Sequence, residues 1–122
     1  MEINVLKDEF SVCKVASYEG IDLDAPFVFT GSTDGEKSLV CPTSRVPGAT
    51  LAREDGWLAF RIEGQLDFSL VGILARISSI LAAEKIGIFA ISTFDTDYIL
   101  VKAENLDRAL AALASAGYGI SS

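Results

Sequence analysis

The stretch Leu70-Val71-Gly72-Ile73-Leu74-Ala75-Arg76-Ile77-Ser78-Ser79-Ile80-Leu81 decides the fold. Leu70, Ile73, Leu74, Ile77, Ile80 and Leu81 fall at i, i+3, i+4, i+7, i+10 and i+11, the apolar face of an amphipathic helix of about four turns. Ser69 stands at the N-cap position, where its hydroxyl can accept from free backbone N–H groups. Upstream, Trp57-Leu58-Ala59-Phe60-Arg61-Ile62-Glu63 reads as a strand closed by Gly64. Downstream, Ile86 to Thr93 is apolar on both alternating faces, which predicts a central strand covered on both sides. Phe94-Asp95-Thr96-Asp97 supplies turn chemistry, and Tyr98 to Lys102 completes a hairpin. Asn105 is predicted to cap a second helix whose inner face is Leu106, Ala109, Leu110, Leu113 and Ala114. Gly117 suits the left-handed position that ends it, and Tyr118 to Ile120 makes a short last strand. The order β-α-β-β-α-β predicts an α+β fold of ferredoxin-like type, with two helices on one face of a four-stranded antiparallel sheet.

The first half repeats this pattern imperfectly. A shift of 60 residues sets Phe29 on Phe89, Ser32-Thr33 on Ser92-Thr93, and Leu39-Val40-Cys41 on Ile99-Leu100-Val101. The first copy reads as degraded. No helical period is sustained between Lys14 and Pro26, and Pro47-Gly48 limits a second helix. Strand material takes their place: Ile3 to Leu6 and Phe10 to Val15 read as a hairpin around Lys7-Asp8, and Phe27 to Thr33 with Ser38 to Cys41 as another turning at Asp34-Gly35. The predicted division is a unit over residues 1–56 and a unit over residues 57–122. The Trp57 strand can close the first as well as open the second.

Composition narrows the function. A chain of 122 residues with 50% apolar residues has more hydrophobic surface than so small an interior hides, which favours a homodimer. The net charge of −7 and the scattered Lys and Arg argue against nucleic acid as a partner. No run approaches the roughly 18 apolar residues of a membrane span. The start Met1-Glu2-Ile3-Asn4 does not resemble a signal peptide. Cys13 and Cys41, set among apolar residues without CxxC spacing, read as reduced core thiols, and a cytoplasmic location is expected. The chain has no histidine, which removes imidazole bases, His-activated nucleophiles and His metal sites. No phosphate-binding or nucleophile-elbow motif is present. The expectation is a protein that is not an enzyme and uses no cofactor or metal.

The segments from Glu63 to Ala75 and from Ile86 to Val101, including Ile91-Ser92-Thr93-Phe94-Asp95-Thr96-Asp97-Tyr98, resemble the ACT domain. The likeness is to small tandem-ACT proteins related to aspartate kinase regulatory regions and to cytosolic arginine sensors, and it runs from about Trp57 to Tyr118. It implies two ACT-like units in tandem, the first degraded. It also implies a small effector, an amino acid, bound where the first β-α loop faces an adjoining strand. Carried over by position, the ligand-binding residues are Ser69, Leu70, Val71 and Gly72 on one side, and Ile91, Ser92, Thr93, Phe94, Asp95 and Asp97 on the other. The physical chemistry agrees: Gly72 permits close approach, a helix N-terminus attracts a carboxylate, and Asp95 or Asp97 can take an ammonium or guanidinium group. ACT loops often carry an acidic residue three before the glycine and a proline one before it. Ser69 and Val71 occupy those positions here, and Leu70 offers no charge, so arginine in particular is not predicted.

Two functions stand against each other. One is a regulatory or sensor protein that binds a small effector and acts alone or on a regulated enzyme. The other is a structural or protein-interaction module that keeps the fold after losing the pocket. Gly72 has a duller reading as a packing glycine, Ser69 as a cap, and Asp95 and Asp97 as turn residues.

Overall fold

A computed structural model describes residues 1–63 and 71–122. The chain runs through β1 (Glu2–Lys14), β2 (Phe29–Ser32), β3 (Lys37–Pro42), a 3-10 turn (Thr43–Arg45) and β4 (Ala52–Ile62). It continues with α1 (Ile73–Ala83), β5 (Phe89–Ser92), β6 (Asp97–Lys102), a second 3-10 turn (Ala103–Asn105), α2 (Leu106–Ser115) and β7 (Gly119–Ser121). From β4 to β7 this is the expected βαββαβ order. Two compact units emerge, one of Met1–Lys7 with Leu58–Ser122 and one of Asp8–Trp57, so β1 and β4 supply residues to both.

In the unit of Met1–Lys7 and Leu58–Ser122 the strands lie in the order β5-β6-β4-β1, with β7 on β1. Pairing is antiparallel between β5 and β6, and parallel between β7 and β1, where Ile3 faces Ile120. The expected four-stranded antiparallel sheet is therefore corrected: β1 occupies the place beside β4, and β7 sits one strand further out. Strand alternation turns Phe60 and Ile62 of β4 and Ile99 and Val101 of β6 to one face, where they form a cluster with Ile77 and Leu81 of α1 and Ala109 and Leu113 of α2. The helix periodicity read in the sequence is thus the core face, with Ile73, Leu74 and Ile80 packed at its margin.

Both helices end alike. Ile86 N–H donates to Leu81 O and Lys85 N–H to Ala82 O; Tyr118 N–H donates to Leu113 O and Gly117 N–H to Ala114 O. These are Schellman closures, and each places one residue in the left-handed region, Lys85 at φ 60° and Gly117 at φ 101°. Two arginines fasten the helices reciprocally. Arg76 of α1 donates to the Ala116 carbonyl after α2 and lies over the Tyr118 ring, and Arg108 of α2 donates to the Glu84 carbonyl after α1. Asn105 is the N-cap residue of α2 but its side chain makes no capping bond.

Three further expectations are corrected. Residues Ile3 to Val15 do not fold as a hairpin; β1 is one extended strand, since Lys7-Asp8 supplies no residue suited to reversing the chain. The first helix does not begin at Leu70, because its N-cap is Gly72. Nor is the strand before the turn central. It spans only Phe89–Ser92 and lies at the end of the strand order, the Lys85–Ile86 closure having consumed the residues before it.

In the unit Asp8–Trp57 the order is β2-β3-β1-β4. No helix follows β1. The chain instead makes successive turns, Ile21 N–H to Tyr18 O and Ala25 N–H to Asp22 O, and the Tyr18 hydroxyl donates to Ser38 O at 2.9 Å. The hairpins of the two units correspond residue by residue at the 60-residue spacing. Phe29–Ser32 and Lys37–Pro42 match Phe89–Ser92 and Asp97–Lys102, and Phe29 pairs with Val40 as Phe89 pairs with Leu100. The turns match too: Thr33 N–H donates to Glu36 O and Thr93 N–H to Thr96 O, both at 2.8 Å. Cys13, Val15, Leu39 and Cys41 form a small core on one face, and Ser11, which pairs with Cys41, donates to Asp55 at 2.5 Å and lies 2.8 Å from the Thr43 hydroxyl.

Opposite stability changes are expected at the two helix ends. Gly117→Ala destabilises by about 1 kcal/mol, because the Cβ meets open space and only the left-handed backbone is strained, whereas Lys85→Gly stabilises by up to about 1 kcal/mol, both read by urea denaturation. Burial, with a smaller contribution from Cys13, pushes the Cys41 thiol up from 9.0 to about 11. An unfolded Cys41 ionises near pH 9 while the folded one keeps its proton, so this contribution to stability is intact below pH 9 and lost as pH rises towards 11. The denaturation midpoint falls over that range, and falls less in Cys41→Ala.

Candidate functional site

The predicted site lies at one end of the sheet in the unit Met1–Lys7 with Leu58–Ser122. There β4 stops at Ile62, α1 starts at Ile73, and the β5–β6 hairpin turns through residues 93–96. One buried hydrogen bond fastens the turn to the end of β4: Thr96 Oγ1 donates to the Ile62 carbonyl at 2.8 Å. Thr96 is buried although the turn residues before it, Thr93 to Asp95, are exposed. The turn is closed from within by Thr93, whose hydroxyl donates to Thr96 O at 3.0 Å and accepts from Thr96 N–H at 3.4 Å. It holds its shape without a glycine.

Of the predicted ligand residues, Ser69 and Leu70 lie outside the described residues. Val71 is 90% exposed. Gly72 adopts φ 80° and accepts the first helical bond from Arg76 N–H at 2.9 Å. A Cβ there would meet no atom of the described residues within 4 Å, and the positive φ is what calls for glycine. Among the described residues no side chain caps this helix start, Gly72 itself having none. The N–H groups of a first helical turn have no partner within the helix, and the helix dipole adds partial positive charge there.

Strand alternation divides the remaining residues between two faces of the sheet. Ser92 and Asp97 are opposite one another in the register and share the helix face with Ile99; the Ser92 hydroxyl donates to Asp97 Oδ1 at 2.5 Å. Ile91 is opposite Tyr98 on the other face. Thr93, Phe94 and Asp95 belong to the turn, all exposed, Phe94 at 72%. Ser92 and Asp97 are thus on the helix face of the sheet, and Ile91 is on the other.

Sequence reading missed the cluster around Ile91. Arg61 Nη1 donates to the Tyr98 hydroxyl at 3.2 Å, its guanidinium lies 5.9 Å from the Tyr98 ring centre, and its Nε pairs with Glu63 at 3.3 Å. The Tyr98 bond, followed by the Glu63 bond, raises the Arg61 pKa and keeps its charge in place. The available signal was the alternation Phe60-Arg61-Ile62, which sets a cation on the face away from the helices. Among the described residues no group of three or more Cys, Asp or Glu has a geometry that could hold a metal ion, and no helix is long and apolar enough to cross a membrane.

Residues 52–115 match the family model of the ACT domain. A solved protein from Agobacterium tumefaciens is 31% identical, with a TM-score of 0.85 over 98% of this chain and 90% of its own. A Vibrio cholerae protein of unknown function is 20% identical, with a TM-score of 0.74 over 92% of this chain and 86% of its own. The ligand-free regulatory subunit of aspartate kinase from Thermus thermophilus is 11% identical, with a TM-score of 0.65 over 96% of this chain and 98% of its own. The last two likenesses are of fold alone.

Replacing Thr96 tests the lock on the turn. Thr96→Val keeps the shape but leaves the buried Ile62 carbonyl without its donor, and destabilises by about 1–3 kcal/mol, whereas Thr96→Ser restores most of the loss in the same urea titration.

Proposed function

Because this chain belongs to the ACT domain family, we propose that it is a non-catalytic regulatory protein that binds a small effector, an amino acid, between the start of α1 and the 92–97 hairpin. The observation that carries this reading is the left-handed start of α1 at Gly72, whose first-turn N–H groups have no partner within the helix, on the face that holds Ser92 and Asp97. The first-turn N–H groups take the ligand carboxylate, and Asp97, already oriented by Ser92, takes its ammonium group. The fold likeness to the regulatory subunit of aspartate kinase supports a regulatory role. A chain built this way acts through association, as a homodimer or on an enzyme partner in the cytoplasm.

The matched hairpins support a tandem pair of ACT-like units, divided near residue 56, of which the first has exchanged its helices for loops. A second reading has one observation in its favour. Val71 and Phe94 are large apolar side chains exposed beside the site, which suits a protein-interaction surface that has lost its ligand.

Thermal unfolding against each common amino acid separates the two. Under the first reading one or a few raise the melting temperature, corresponding to about 2.7 kcal/mol at a hundredfold excess over Kd, and Asp97→Asn abolishes the shift while leaving the unliganded stability nearly unchanged. A chain indifferent to every amino acid overturns it.

A further inference from the structure

The unit Asp8–Trp57 holds a cavity of about 220 Å³ where loops stand in place of helices. It opens between the 15–28 loop and the Thr43–Arg45 turn. Of its lining Cys41 is buried, at 1% exposed, and Ile21 and Val28 are half-buried. Asp22, Ser44 and Arg45 also line it and are exposed, so apolar groups stand inside and polar groups at the mouth. This is the division of labour of a small-molecule site: apolar walls for contact, a few polar groups for orientation.

The loop is held in shape before any ligand arrives. Tyr18 bonds to Ser38 O, Val15 N–H to Lys37 O, and the Asp22 carboxylate accepts from Asp24 N–H at 3.0 Å through one oxygen. Arg45, by contrast, makes no ion pair or hydrogen bond among the described residues. An arginine without an ion pair or hydrogen bond among the described residues lines the same cavity as the Asp22 carboxylate, and the two can receive an anionic group and a donor. The net charge of −7 does not forbid this, because charges beyond about 8 Å are screened at physiological salt.

We propose that this cavity binds a small carboxylate that also carries a hydrogen-bond donor, with Arg45 taking the carboxylate and Asp22 the donor. The volume equals about seven water molecules, which limits the ligand to roughly that many non-hydrogen atoms. Alanine and lactate both fit this limit and differ only in the donor; propionate has the carboxylate without it. The site is separate from the Gly72–Asp97 site and does not depend on it.

Binding to the full chain is read by isothermal titration calorimetry with alanine, lactate and propionate in turn. Alanine and lactate are expected to give saturable heats, and propionate a weaker one or none. Arg45→Gln weakens binding of both by about tenfold or more and Arg45→Lys retains part of it, while neither changes the melting temperature of the unliganded chain. Absence of saturable binding by both alanine and lactate, or binding unchanged in Arg45→Gln, overturns the proposal. Amino-acid binding that is lost in Asp97→Asn and unchanged in Arg45→Gln sinks this site alone and leaves the other standing.

Discussion

The hydrogen bond from Thr96 to the Ile62 carbonyl joins the hairpin turn to the end of β4, and the geometry of the candidate site depends on it. At Ile62 the chain leaves the sheet, and the next described element is α1, starting at Gly72. The turn must stand against that exit if Ser92 and Asp97 are to share a face with the helix start. A backbone carbonyl at a strand end has no ladder partner, and burying it without a donor costs more than the bond itself contributes. Thr96 meets that need from a turn that is otherwise solvated. The constraint ties a sheet terminus, a turn and a helix entry together.

The two units show how one hairpin serves under two kinds of cover. At β6, Ile99, Leu100 and Val101 are fully buried, and so at β3 are Leu39, Val40 and Cys41. In the first case Ile99 and Val101 pack under two helices of regular period, which fill the space closely. In the second the matching positions, Leu39 and Cys41, pack with Cys13, Val15 and half-buried residues from loops. Loops follow no repeating ridge, and their backbone groups must be satisfied locally, as the consecutive turns from Tyr18 to Ala25 show. A cavity beside Cys41 is the natural outcome of that less regular cover.

Much of the fold was legible in local pattern. The helix faces, the hairpin at residues 89–102, Gly117 as a left-handed terminator and the 60-residue recurrence follow from spacing and residue type. The errors share a cause, since each concerned where an element stops or which strand lies beside it. Leu70 fits the helical period, yet a left-handed Gly72 begins the helix after it. Residues 86–93 are apolar enough for a central strand, yet the Schellman closure through Lys85 uses the first of them. Apolar periodicity records what is buried and does not record the termini or the neighbours. For the site, resemblance pointed to the end of the sheet where β4 stops and the β5–β6 hairpin turns. It could not separate Ile91 from Ser92 and Asp97, because that division comes from the pairing register.

The sequence by itself determined the class of each element, the order β-α-β-β-α-β and the absence of imidazole chemistry, because these rest on periods of two and 3.6 residues and on composition. Only the tertiary structure decided that β1 enters beside β4 and displaces β7, that Thr96 fastens the turn to Ile62, and that Arg45 lines a cavity without an ion pair or hydrogen bond among the described residues. These are long-range contacts. Ile62 with Thr96, Glu2 with Gly119 and Cys41 with Ile21 meet because sheet pairing and loop closure bring distant residues together. A local period carries no information about such meetings.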